Sequence, residues 1–175
     1  SGSRETRELQ QYPSSHLQDL VTFLTNVTNA ALLNLPESIK SLLYFDALEH
    51  LSHSLKNLLL DPDNRIITEV ALRNFDTDVR FMEDFVHQLG DPTILDTFAE
   101  LRQLIDLAMS DNSEEYLTPQ VRSRKYGRVN GRDVIVFFEK LLRDNSTASY
   151  TSTPRQKAHR KGMENVARVL RSVHI

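Results

Sequence analysis

Apolar residues recur three and four positions apart along almost the whole chain, the period of helices that bury one face. The first predicted helix follows Ser14 and Ser15, both suited to an N-cap, and runs to about Leu33 with Leu17, Leu20, Val21, Leu24 and Val27 inward. Asn34-Leu35-Pro36 ends it, because the residue before a proline resists the helical region. A second helix is predicted from about Pro36 to Leu60, with a seam of Tyr44, Leu48, Leu51, Leu55 and Leu58. Asp61-Pro62-Asp63-Asn64 reads as a turn. A third helix, expected from about Arg65 to Leu89, carries Leu72, Phe75, Val79, Met82, Val86 and Leu89 on one seam. Glu69, Arg73, Asp76, Arg80 and Glu83 form a second line of alternating sign, worth about 0.2–0.5 kcal/mol per exposed pair. Gly90-Asp91-Pro92 closes that helix.

A fourth helix is expected over about Thr93 to Met109, with Phe98, Leu101, Leu104, Ile105 and Ala108 inward. Ser110 to Gly131 is polar, holds Pro119, Gly127 and Gly131, and reads as the longest ordered connector. The fifth helix, about Arg132 to Arg143, buries Val134, Phe137, Phe138 and Leu141. Asn145 to Pro154 is rich in Ser and Thr and reads as a loop. The last helix runs from about Pro154 to Val173, with Met163, Val166, Leu170 and Val173 on one side. The expected fold is therefore all-α, an elongated bundle of about six antiparallel amphipathic helices. Residues 1–12 read as a disordered or appended leader, and 13–175 as one domain with a possible division into 13–110 and 120–175.

Composition narrows the chemistry. The chain has no cysteine, which excludes disulfides, thiolate metal sites and a thiol nucleophile. No run approaches the roughly 20 apolar residues of a membrane span, and no signal peptide is visible, so the cytosol is the expected compartment. His50 and His53 stand at i and i+3, not at the i and i+4 of a helical zinc motif, and no third ligand is suggested. The acidic turn at 61–64 lacks the glycine and glutamate that a calcium loop needs later, since Ile66 and Leu72 stand there. There is no phosphate loop, dinucleotide fingerprint or nucleophile elbow. The reading is of a non-enzyme without cofactors.

Charge is unevenly spread. Residues 1–120 hold 8 Lys and Arg against 20 Asp and Glu, whereas 121–175 hold 13 against 4. The basic end includes Arg155, Lys157, Arg160, Lys161 and Arg168 on the last helix, a candidate patch for lipid or a protein partner. Nucleic-acid binding is disfavoured, because Tyr126 and Tyr150 are the only exposed-looking stacking aromatics and neither lies on that helix. A peripheral module binding anionic lipid through the basic, amphipathic last helix is the alternative to a protein-interaction role.

Several segments, in order, resemble the C-terminal part of exocyst complex component six, a subunit of a vesicle tether. Leu35-Pro36, His50-Leu51-Ser52, Ser54-Leu55 and Leu58-Leu59-Leu60-Asp61 are similar to that family's "NLP…HLS.SL…LLD". Asn74-Phe75-Asp76-Thr77-Asp78-Val79 resembles "QFNLDV", and Leu101 to Leu107 resembles "DLRQLLDL". Lys125-Tyr126-Gly127-Arg128-Val129-Asn130 with Glu139-Lys140-Leu141 resembles "KYLRVN…LLEKM". The chain departs from the animal pattern in lacking tryptophan, in Gly131 for proline and in Asp76 for asparagine. The resemblance implies a non-catalytic helical rod at secretory vesicles and sites of polarised exocytosis. It implies binding to a GTP-loaded Rab GTPase and to other exocyst subunits, and in fungal relatives to the Rab's exchange factor and a class V myosin tail. The third helix, through Arg73, Phe75, Asp76, Val79, Arg80 and Glu83, is the expected Rab surface.

Overall fold

The structure, a computed structural model, describes residues 18–22, 24–26, 34–145 and 152–173. Residues 18–22 and 24–26 are helical; the rest of the first predicted helix, and the Ser/Thr loop at 146–151, lie outside the described residues. Among the described residues seven α-helices follow: α1 Glu37–Leu60, α2 Glu69–Leu89, α3 Pro92–Leu95, α4 Ala99–Met109, α5 Pro119–Lys125, α6 Gly131–Leu142 and α7 Pro154–Val173. Two 3-10 turns, Asp96–Phe98 and Ser113–Leu117, join them, and no strand occurs among the described residues. The fold is all-α.

The chain divides into two compact units. Among the described residues, the first comprises those up to Glu49 with 70–97, the second 50–69 with those from Phe98 on. In the first, Leu48 of α1 and Leu72, Val79, Met82, Phe85 and Val86 of α2 are buried together with Ile94. Tyr44 meets Phe85 edge to face, with ring centroids 6.5 Å apart. Gly90 ends α2 at φ +72°, a left-handed conformation open to glycine without strain. Asp91 then caps α3, its carboxylate accepting from the Thr93 amide at 2.9 Å.

In the second unit Phe98, Leu101, Leu104, Ile105, Val134, Phe137, Phe138 and Val166 are all nearly inaccessible. Each contributes on the order of 1.5–3 kcal/mol by leaving water. Asn130 caps α6, its side chain accepting from the Asp133 amide at 2.9 Å. Lys56, on the C-terminal half of α1, donates to Glu100 at 2.7 Å and Asp133 at 3.4 Å. Burial alone would lower its pKa, but the Glu100 hydrogen bond and both carboxylate charges outweigh that and raise it.

Four expectations need correction. The helix expected from Arg65 begins only at Glu69, because residues 65–68 are tied down outside any helix: the Ile67 amide donates to the Lys140 carbonyl at 3.2 Å and the Ile67 side chain is buried. The helix expected over 93–109 is interrupted at 96–98, where the buried Thr97 hydroxyl donates to the Ile94 carbonyl at 2.7 Å. Leu58, expected on the α1 seam, is 55% exposed. The connector at 110–131 is ordered, as expected, and holds a 3-10 turn and α5 around two tyrosines. Tyr116 donates to the Val129 carbonyl at 2.9 Å and Tyr126 to the Glu115 carboxylate at 2.6 Å. Tyr126, expected at the surface, is 5% exposed, and its desolvation together with the Glu115 bond lifts its pKa to about 12.

Candidate partner-binding surfaces

On α2 the residues singled out for a partner do not share one face. Val79 is inaccessible and Phe75 half-buried, both on the core side. Asp76 is also buried, contrary to the reading of a solvated charged line; its carboxylate accepts from Arg80 Nε at 3.0 Å, one turn on. Alternating charge suggested exposure, but the same i, i+4 spacing lets Arg80 cover an inward carboxylate. Glu83 is half-buried on the other flank. Arg73 and Arg80 remain outward, two turns apart, with Asp84 and His87 continuing the exposed stripe. This surface belongs to the first unit.

In the second unit, α7 uses much of its positive charge internally. Arg155 grips Asp111 with two nitrogens, Nε at 2.9 Å, and this bond lowers the Asp111 pKa. Arg160 donates to the Asp144 carbonyl at 3.0 Å and to the Leu142 carbonyl, satisfying the last turn of α6. Arg171 bonds Glu139 at 2.9 Å. Lys157, Lys161 and Arg168 stay exposed and share one stripe, interrupted by Glu164, with Arg168 donating to Asn165. A shallow groove of about 690 Å³ lies there, lined by Glu114, Ala158, Lys161, Gly162, Asn165 and Arg168. The apolar side of α7, Met163, Val166 and Leu170, is buried and not available to a bilayer.

Lys140 on α6 repeats the capping device. Its side chain is 2% exposed and its ammonium donates to the Leu59 carbonyl at 2.9 Å and to the Asp61 carbonyl. It thereby completes the C-terminus of α1, which has no basic residue in its own last turn. Burial lowers the Lys140 pKa and the Asp61 charge only partly offsets this. Its position inside an otherwise apolar face of α6 was the one signal of this role in the sequence.

A basic surface that the helical pattern obscured lies along residues 122–132. Arg122, Arg124, Lys125, Arg128 and Arg132 are all exposed, and the segment contains no carboxylate. His50 and His53 are exposed, and among the described residues no three His, Asp or Glu side chains converge on a point that could hold a metal ion. No described helix is long and apolar enough to cross a membrane.

Comparison with known proteins agrees with the ordered segments noted above. The family model described as the C-terminal region of exocyst complex subunit Sec15 matches residues 5–140. Exocyst complex component sec15 of Schizosaccharomyces pombe is 35% identical over 154 residues, covering 87% of this chain and 20% of that protein. Exocyst complex component 6B of Mus musculus is 32% identical over 178 residues, covering 96% and 22%. Exocyst complex component SEC15 of Saccharomyces cerevisiae is 26% identical over 172 residues, covering 77% and 19%. The chain thus spans about a fifth of the length of these relatives. No solved structure matches it. With the family model matched over most of its length, the chain belongs to the exocyst Sec15 C-terminal family.

Proposed function

We propose that this chain is a non-catalytic docking domain of a vesicle tether, acting in the cytoplasm at secretory vesicles and binding a GTP-loaded Rab together with other exocyst subunits. Family membership carries the reading. It is supported by an all-α scaffold whose recognisable polar groups serve caps and helix ties. The Rab surface is the outward stripe of α2, with Arg73 and Arg80 as its charged anchors and the edge of Phe75 on its flank. Asp76 and Val79 act from within, holding the helix and Arg80 in place. A Rab exchange factor and a class V myosin tail are further partners of the same class, for which no particular surface is favoured.

Titrating the chain with the organism's secretory Rab, loaded with a non-hydrolysable GTP analogue or with GDP, tests this. Binding confined to the GTP form, weakened at least ten-fold by Arg73→Glu with the helical spectrum unchanged, is the expected result. Equal binding of both nucleotide states, or none, would refute it. Asp76→Lys is unsuitable as a probe, since it would place a cation in a buried position. A lipid role for α7 has less support, because its apolar side is packed inward and three of its arginines are engaged within the domain.

A further inference from the structure

The elbow formed by α5, the turn after it and the first residue positions of α6 gathers unusual charge. Five cations fall between residues 122 and 132 with no acid among them. The nearby carboxylates are already engaged. Glu115 accepts from Lys125 at 3.1 Å and Tyr126 at 2.6 Å, and Asp133 is held by Lys56 and Asn130. The exposed arginines of the elbow are Arg122, Arg124, Arg128 and Arg132.

The backbone that carries them is firmly fixed. Tyr116 and Tyr126 pin it from below, the Arg128 amide donates to Gln103 Oε1 at 2.9 Å, and Gly127 approaches the Ser123 carbonyl so closely that a Cβ there would sit 2.8 Å from it. Arg122 lies over the Tyr116 ring, 5.6 Å from its centroid. Guanidinium forks suit paired hydrogen bonds to carboxylates, a planar fork loses less side-chain freedom per bond than an ammonium, and the fixed backbone adds little loop-ordering cost.

Other anionic surfaces fit less well. Tyr116, Tyr126 and Val129 are buried, so the elbow exposes no aromatic on which a base would stack and no apolar wedge for a bilayer. We propose that the arginine elbow at residues 122–132 is a docking surface for an acidic segment of a partner protein, read by guanidinium–carboxylate pairing. This surface is distinct from the α2 stripe and does not depend on Rab binding.

A fluorescein-labelled deca-glutamate peptide is the probe, titrated against the whole chain at low and moderate salt, with vesicles containing phosphatidylserine as the competing surface. Replacing Arg124, Arg128 and Arg132 together by Ala should weaken peptide binding at least ten-fold and flatten its salt dependence, whereas Lys157→Ala with Lys161→Ala should change it less than two-fold. Equal loss in both variants, or vesicle binding without peptide binding, would overturn the proposal. Should the triple variant misfold, amide chemical shifts of the unaltered chain decide the matter. Peptide-induced shifts centred on 122–132 support the site, and shifts centred elsewhere reject it.

Discussion

Lys140→Met isolates what a buried ammonium contributes at a helix end. Methionine keeps the length and apolar stem of the lysine but removes the bonds to the Leu59 and Asp61 carbonyls. A hydrogen bond from a charged group stabilises by roughly 1.5–3 kcal/mol net, so two bonds set an upper bound of about 6 kcal/mol. Two effects reduce that. Burial strips the Lys140 ammonium of hydration, the main cause that lowers its pKa, and Asp61 is exposed enough for its carbonyl to recover water. The Leu59 carbonyl, in a residue 5% exposed, stays without a partner and costs about 1–3 kcal/mol. The expected loss is therefore about 2 kcal/mol, which lowers Tm by about 4–8 °C for a chain of this size. Urea unfolding followed by circular dichroism measures it, with the slope expected to stay constant. The main-chain bond from Ile67 to the Lys140 carbonyl persists in the variant, so the difference reports the side chain alone. A Met variant as stable as the parent, or more so, would mean that the ammonium's desolvation cancels its bonds and that apolar packing holds this junction.

Other outcomes can be checked with similar means. Tyr126 binds its proton more tightly folded, at about 12, than unfolded, near 10, so stability should hold below about pH 10 and fall by about 3 kcal/mol as pH rises towards 12; Tyr126→Phe should abolish that part of the alkaline slope in pH-dependent unfolding. The same substitution frees Glu115, whose pKa is lowered chiefly by the Tyr126 bond, so the Glu115 carboxyl should titrate at higher pH in a carbon-detected NMR titration. Ser113 has the only buried side-chain oxygen without a partner among the described residues, and a Cβ on Gly162 would lie 3.1 Å from it. Ser113→Ala with Gly162→Ala should therefore stabilise by about 1 kcal/mol through helix propensity and removal of the orphan hydroxyl, whereas Gly162→Leu should destabilise in thermal melts. Leu101→Ala, at a fully buried position of α4, should cost about 2–5 kcal/mol in urea unfolding.

Much of the architecture was legible because local signals were strong. The starts expected near Pro36, Arg132 and Pro154 fall within a residue of those observed, and Gly90 marks an end. The apolar seams of α4, α6 and α7 proved buried, apart from Val173 near the end of α7. What failed was non-local. The start of α2 is set by a bond from Ile67 to a residue more than seventy positions away, which no window along the chain reveals. The order of residues 110–131 was legible, but not its source, two buried tyrosines spaced ten apart amid polar neighbours. Asp76 was misplaced because a charge that finds its partner one turn away can be buried, and periodicity alone cannot tell that case from a wet one. The Sec15 resemblance was readable from ordered short segments, yet the choice among Arg73, Phe75 and Asp76 as surface residues needed coordinates.

The Lys140 cap also has a consequence in time. The residue that completes the end of α1 follows Leu59 by 81 positions. At a synthesis rate of roughly 5–20 residues per second, the last turn of α1 leaves the ribosome on the order of 4–16 s before its cap has been made. Through that interval the Leu59 carbonyl is left to water while the Asp61 carbonyl keeps the Asn64 amide, and the final turn should fray. The nascent chain therefore passes through a period in which the region around Leu58 to Ile67 is open to chaperones or misplaced partners, and closure waits for α6 to emerge.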